Sequence, residues 1–228
     1  MKNMKVQIEE TADGSQTLYV PELNEHYHSV RGAVSESRHV FLSAGFDHCR
    51  PAEGKINLLE AGFGTGLNAL LTCLATRNRD VQVNYVGVEA YPLTAEVIAG
   101  LNYTGIIGET GAEELFRKIH EANWIYPSYI SDRFLLNKIE AKLEDVSLAD
   151  NMFHLIYFDA FAPDVQPELW SEEIFRKLFA CLAPGGILVT YSSKGTVKQA
   201  LRNAGFAVER LPGALGKHHM LRAVKSMV

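Results

Sequence analysis

Residues 56–74 read Ile56-Asn57-Leu58-Leu59-Glu60-Ala61-Gly62-Phe63-Gly64-Thr65-Gly66-Leu67-Asn68-Ala69-Leu70-Leu71-Thr72-Cys73-Leu74. A short apolar run at 56–59 predicts a strand, and leucines at 67, 70, 71 and 74 fall on one stripe of a helix over 65–76. Between them stand three glycines at alternate positions, so the order is strand, glycine turn, helix. Glycines let a backbone turn sharply and approach a ligand closely, as a nucleotide-like cofactor over a first crossover requires. The dinucleotide fingerprint wants a small residue three places beyond its second glycine, and Leu67 stands there instead. A tight turn whose glycines serve only packing leaves the same trace, so the rest of the chain has to separate the two.

The alternation continues outward. Residues 81–89 are rich in β-branched and aromatic types and lead through Pro92 into a helical stretch to about Leu101. A helix over 113–122 and a third strand over 138–143 follow. Residues 154–158 form a buried-type strand ending at Asp159, and a helix over 172–182, with two glutamates in its first turn, is stopped by Pro184-Gly185-Gly186. A strand over 187–191, a helix over 194–204 and an antiparallel pair, 206–211 with 219–224, close the chain. Parallel neighbours need crossover connections, so this order predicts an α/β fold: a Rossmann-like, mostly parallel seven-stranded sheet with helices on both faces. Residues 51–228 carry it. Residues 1–50, with a strand near 18–21 and a helix near 35–45, form an N-terminal extension or lid. Ligands in such sheets bind beyond the carboxyl ends of the strands, which places the chemistry at 60–68, 89–92, 144–146, 159–163 and 191–194.

Composition bounds the function. The chain has 228 residues, 47% of them hydrophobic and 21% charged, which excludes a fibrous or disordered protein. No apolar run approaches the roughly 18 residues of a spanning helix, and the start at Met1 leads into polar residues, so the chain reads as cytoplasmic with no membrane partner. Cys49, Cys73 and Cys181 are odd in number and widely separated, and read as plain thiols. The formal charge of −5 hides an asymmetry: residues 186–228 hold seven bases and one acid, while the first 185 hold 15 bases and 26 acids. A basic end on an acidic body suits a polyanionic partner, although chance clustering gives the same count.

At the strand ends, Glu89 is placed to accept both hydroxyls of a ribose. Asp145 is the acid of the third end. The fourth reads Tyr157-Phe158-Asp159-Ala160-Phe161-Ala162-Pro163-Asp164, then Pro167-Glu168-Leu169-Trp170. A neutral amine has to present its lone pair to a methyl donor at near-attack distance. Asp159 can hold the amine hydrogens, and Phe161, stiffened by Pro163, can wall the amine in. His26 and His28 have no third ligand at suitable spacing, so no metal is expected. Ser192 and Ser193 lack a G-x-S-x-G elbow, and Cys73 lies inside an apolar helix.

The acid-x-G-x-G-x-G order resembles the first motif of S-adenosylmethionine-dependent methyltransferases. That resemblance implies cofactor contacts from Glu60, Gly62, Phe63, Gly64, Thr65, Gly66, Asn68, Glu89 and Asp159, with Asp145 near the adenine. Over most of its length the chain is similar to the methyltransferase half of the bifunctional MnmC family. The matching stretches are Tyr27-His28-Ser29, Glu36-Ser37-Arg38-His39-Val40-Phe41-Leu42, Gly62 to Asn68, Glu89-Ala90-Tyr91-Pro92-Leu93-Thr94, Asp159 to Pro163, Pro167 to Trp170 and Met220-Leu221. Ala160 stands where the common form has Gly, and Ala90 where Lys is frequent.

The resemblance implies S-adenosylmethionine-dependent methylation of the aminomethyl nitrogen of 5-aminomethyl-(2-thio)uridine at the tRNA wobble position. It also implies that the chain lacks the flavin-dependent oxidase half and receives its aminomethyl substrate from a separate pathway. For the anticodon arm the basic candidates are Arg31, Arg38, Lys194, Lys198, Arg202, Lys217 and His218, with Tyr27 as a stacking surface for an extruded base. The alternatives are methylation of a small amine or polyamine, without tRNA, and a non-catalytic cofactor-binding module.

Overall fold

The computed structural model describes residues 5–51 and 54–227; Met1–Met4, read above as lacking a signal-type core, lie outside them. In the leading segment, β1 (Gln7–Glu10), β2 (Gln16–Val20) and β3 (Glu25–His26) make a small antiparallel sheet. Its first turn is tied to helix α1 (Ala33–Ser37). The Asp13 carboxylate accepts the Ser35 N–H at 2.9 Å, and Ser15 Oγ accepts those of Ala33 and Val34 at 3.1 and 3.3 Å. These amides are the ones a helix start leaves without partners. Burial pushes the Asp13 carboxyl up, but hydrogen bonds from Ser15, Ser35 and Thr11 more than reverse this and hold it well below the usual range. α1 runs on into wider π-type turns over Arg38–Phe46. The helix starts two residues before the expected position because its cap comes from Asp13 and Ser15, far upstream.

The rest alternates as the sequence predicts: β4 (Lys55–Ala61), α2 (Leu67–Ala75), β5 (Gln82–Glu89), α3 (Ala95–Ala99), α4 (Tyr103–Ile107), α5 (Ala112–Glu121), β6 (Ser128–Ser131), β7 (Phe134–Glu140), β8 (Phe153–Phe158), α6 (Glu172–Cys181), β9 (Leu182–Thr190), α7 (Gly195–Asn203), β10 (Ala207–Pro212) and β11 (His219–Val224). The sheet order is β10-β11-β9-β8-β4-β5-β7-β6. The five inner strands from β9 to β7 are parallel, and antiparallel pairs close both edges.

The sheet therefore has eight strands, not seven. The extra strand, β6, is a short polar edge, Ser128-Tyr129-Ile130-Ser131, with a register irregularity against β7 and no Gly in the connecting turn. The third strand also starts four residues before the expected position. Lys138 interrupts the apolar reading there, yet it is buried, because its ammonium donates to the Ile119 and His120 carbonyls at 3.0 and 3.1 Å and so caps the end of α5.

Two apolar layers enclose the sheet. On one face Phe41, Leu67, Leu70, Leu74, Phe116 and Ile119 pack on Tyr85, Leu155 and Tyr157. On the other, Trp170, Ile174, Phe175, Leu178 and Leu201 pack on Leu59, Ile156 and Phe158.

β4 and β8 meet at the point where the strand order reverses, and Gly62, at φ +90°, passes the end of β8 there. A Cβ at Gly62 would overlap the Asp159 carbonyl oxygen and lie 2.9 Å from its carbon. Gly108, at φ +67°, has open space around its absent side chain. Gly108→Ala should cost only the strain of a left-handed backbone, about 1–2 kcal/mol. Gly62→Ala should cost clearly more, and chemical denaturation of the two variants side by side measures the gap; equal losses would show that the strand ends do not depend on this contact.

Candidate active site

A cavity of about 760 Å³ opens at the carboxyl ends of the inner strands. Its floor is the turn after β4. Asn68, in the first turn of α2, donates through one amide nitrogen to Glu60 Oε1 at 2.8 Å and to Asp159 Oδ2 at 2.9 Å. That nitrogen thus bridges the ends of β4 and β8. Its Oδ1 is buried, on a residue of the cavity wall, without a hydrogen-bond partner. An orphaned acceptor of this kind calls for a donor from a ligand.

Glu60 lies beneath the floor, fully buried, and its second oxygen takes the Tyr85 hydroxyl at 2.7 Å. Burial raises its carboxyl well above the usual range, and the hydrogen bonds from Tyr85 and Asn68 only partly offset this. Glu60 therefore supports the site through Asn68 and is not a wall residue. Glu89, at the end of β5, is on the wall and is held by its own backbone: Oε2 accepts the Gly64 N–H at 3.0 Å and Oε1 the Tyr91 N–H at 2.9 Å. Gly64 and Thr65 line the cavity with it, while Gly66 is buried behind them. Phe63 reaches the cavity lining, but its ring is 3% exposed and packs edge-on against Trp124 at 5.9 Å. Asp145 is exposed on a turn outside the cavity, and its neighbour Glu144 is the wall residue.

Asp159 stands opposite the glycine turn. Burial and the nearby Glu36 push its carboxyl up to about 7, with Asn68 and Lys217 acting in the other direction. The loop that follows is pinned at three points. Tyr191 donates its hydroxyl to the Ala160 carbonyl at 2.9 Å, Trp170 its indole N–H to the Phe161 carbonyl at 2.8 Å, and the Phe161 N–H donates to Gln166 Oε1 at 3.2 Å. Phe161 meets the Tyr27 ring edge-on at 5.0 Å, so strand-end loop and leading segment face each other across the opening. Pro163 is half-buried just outside the wall, behind Ala162. Among the described residues no three His, Cys, Asp or Glu side chains are grouped to hold a metal ion.

The basic candidates separate. Lys217 lines the cavity, and Arg31 lies against Gly216 beside it, with His218 exposed on the same turn. Arg38 is set apart: the helix carries it to a second, small depression, where it pairs with Glu109 at 3.7 Å. Lys194 caps α7 and pairs with Asp164, while Lys198 and Arg202 lie within α7. Sequence reasoning missed Glu36, Tyr85 and Tyr191 as parts of this site. Glu36 lies in a stretch quoted above, but nothing local marks it as facing a strand end far along the chain.

Half of the chain, residues 113–226, matches the family described as S-adenosyl-L-methionine-dependent methyltransferase. The tRNA 5-methylaminomethyl-2-thiouridine biosynthesis bifunctional protein MnmC of Cupriavidus necator is 31% identical over 217 residues, covering 89% of this chain and 32% of that protein. The protein of the same description from Ectopseudomonas mendocina is 33% identical over 210 residues, covering 86% of this chain and 31% of its own. The chain thus spans about a third of the length of these relatives. The crystal structure of MNMC2 from Aquifex aeolicus superposes with a TM-score of 0.75 at 25% identity, over 99% of this chain and 71% of that one.

The raised Asp159 carboxyl has a consequence for folding. Between its ordinary value of 3.8 and about 7 the folded protein keeps a proton that the unfolded chain releases. Stability therefore falls as pH rises through that window and stays lower above it. Asp159→Asn removes the effect. Without ligands, the variant should match the parent at pH 4 and exceed it by about 2–4 kcal/mol at pH 8 in denaturation experiments; a difference that ignores pH would show that burial of this carboxylate carries no such penalty.

Proposed function

Because the chain belongs to the S-adenosyl-L-methionine-dependent methyltransferases, we propose that its cavity methylates the aminomethyl nitrogen of 5-aminomethyl-(2-thio)uridine at the tRNA wobble position, giving 5-methylaminomethyl-(2-thio)uridine. One observation carries this reading: a buried carboxylate, Asp159, and an aromatic pair, Tyr27 and Phe161, share one cavity with the glycine turn. The names of the relatives, which contain the same modified nucleoside, support the substrate.

The residues present fit the cofactor. Asn68 Oδ1 is an acceptor without a partner, suited to an ammonium, and Glu89 is held by backbone amides at the position suited to a ribose. When bound, S-adenosylmethionine supplies an electrophilic methyl carbon on a sulfonium. An alkylamine is protonated at neutral pH and cannot attack until it loses a proton. Burial in the cavity favours its neutral form, and Asp159, pushed up to about 7, is a far better proton acceptor than an ordinary aspartate. Once that proton has passed on to solvent, the Asp159 carboxylate accepts a hydrogen bond from one of the two remaining N–H groups and fixes the direction of the lone pair; the methylated nitrogen, cationic after the transfer, loses one proton to Asp159 or water. Phe161 and Tyr27 hold the base in place, and Trp170 and Tyr191 keep the loop carbonyls, and with them Asp159, in register. The described part of the leading segment, residues 5–50, acts as a lid over the acceptor side, which brings Tyr27 to the opening.

On this reading the anticodon arm meets Arg31 and His218 at the mouth and the α7 residues Lys198 and Arg202 beyond it, in the cytoplasm, while Lys217 is held by Glu36. A second reading, a small amine or polyamine as acceptor, is favoured by the acidic wall, where Glu25, Glu36, Glu144 and Glu168 line the same cavity as Asp159. The two part on tRNA dependence. With labelled cofactor and tRNA from cells lacking the modification, label should appear in the methylaminomethyl nucleoside after digestion; label in a free polyamine would establish the second reading. Asp159→Asn should cut turnover by at least about 100-fold and leave cofactor affinity within a few fold. Equal losses of both would place Asp159 in the cofactor pocket alone. Reversing Lys198 and Arg202 should weaken tRNA binding and make its salt dependence shallower by about 0.7–0.9 for each phosphate that is no longer neutralised; an unchanged slope removes α7 from the tRNA-binding surface.

A further inference from the structure

Lys217 reads from the sequence as a phosphate contact, yet its ammonium is already engaged. It pairs with Glu36 Oε1 at 2.5 Å and lies 4.6 Å from the centre of the Tyr191 ring. Glu36 is buried, and its other oxygen takes the Ser29 N–H at 2.9 Å. Tyr191 in turn donates to the Ala160 carbonyl, next to Asp159. A chain of contacts thus runs from Ser29 through Glu36, Lys217 and Tyr191 to the Asp159 loop. It joins the leading segment to the turn before β11, 181 positions apart in sequence.

We propose that Glu36 and Lys217 are a positioning pair for the methyl-acceptor half of the site, setting both the placement and the charge of Asp159 through contributions of opposite sign. The proposal rests on the reading above that Asp159 serves the acceptor amine. The geometry gives the pair two effects. Through Tyr191 it holds the loop carbonyl, so the carboxylate cannot swing away from Asn68. Through space it brings one cation and one anion to bear on Asp159, and their influences oppose each other: Glu36 raises the carboxyl and Lys217 lowers it. The other groups facing Asp159 are Glu60, reached through Asn68 on β4 and α2, and the phenols of Tyr85, Tyr103 and Tyr191. These phenols are all raised by burial and neutral at working pH, and Glu60 is pushed toward its neutral form. The Glu36–Lys217 pair is therefore the adjustable electrostatic input to this carboxylate.

The opposed signs make a test that a merely structural role does not pass. The pH dependence of turnover at saturating tRNA and cofactor has an acid limb where Asp159 must give up its proton. Lys217→Met should move that limb up by about one pH unit, and Glu36→Gln, which keeps the Ser29 bond, should move it down by a similar amount. Lys217→Arg should restore it to near the parental position. The salt dependence of tRNA binding should be the same in Lys217→Met as in the parent. Limbs that stay put, or move together in one direction, overturn the proposal, and so does a shallower salt slope with an unmoved limb, which would make Lys217 a phosphate contact. Asp159→Asn, run beside them, separates the two readings: if it retains full turnover, the role of Asp159 fails, whereas lost turnover with unmoved limbs in the other variants rejects the pair alone.

Discussion

The carbonyl oxygen of Asp159 occupies the space a side chain at Gly62 would need, and the Asp159 N–H donates to the Ala61 carbonyl at 2.9 Å. The ends of β4 and β8 therefore lie edge to edge where the sheet order reverses. The site depends on that approach. With the two ends in contact, one amide nitrogen of Asn68 can serve a carboxylate on each strand, and the glycine turn that suits a nucleotide-like ligand shares a cavity with the acid that suits an amine. A separation of even one side chain would leave Glu60 and Asp159 without a common donor and would open a water-filled gap between the two halves of the chemistry.

Gathering Glu60, Glu89, Glu36 and Asp159 at one site is costly for an isolated fold, since burial raises Glu60, Glu89 and Asp159, Asp159 and Glu89 raise Glu60 further, and Glu36 raises Asp159 further. The arrangement makes sense for a ligand set that is itself positive. On the proposed reading a sulfonium donor would be stabilised there, and a carboxyl near neutrality could accept a proton from an arriving ammonium without needing a histidine. Active sites commonly trade stability for such shifted groups.

The two ends of the chain complete what the central strands begin. The leading segment supplies Tyr27 and Glu36, and the turn before β11 supplies Lys217, although neither belongs to the alternating core. The basic excess of the last 43 residues, +6 by count, is partly spoken for inside the fold. Lys217 pairs with Glu36, Lys194 with Asp164 and Arg222 with Glu209, and Lys225 caps the carbonyls that end α6. The free positive surface is accordingly narrower than the composition suggests.

The alternating core was legible from periodicity because each strand and helix buries a contiguous apolar pattern that local spacing records. Glu89 and Asp159 were legible for the same reason, as the residues that end such strands. Lys138 misled the reading of its strand, since a buried lysine makes sense only once the end of α5 is seen above it. β6 was missed because a four-residue polar edge carries too little pattern. Asp145, assigned by resemblance, lies outside the cavity, while Glu144 beside it faces in, a difference set by one turn of backbone. The sequence by itself determined the order of elements, the glycine turn and the acids at the strand ends, because these are written in neighbouring residues. The tertiary structure alone decided that Asn68 bridges two carboxylates, that Arg38 sits away from the cavity and that Glu36 meets Lys217, because contacts between distant segments follow from how the layers close and leave no local trace.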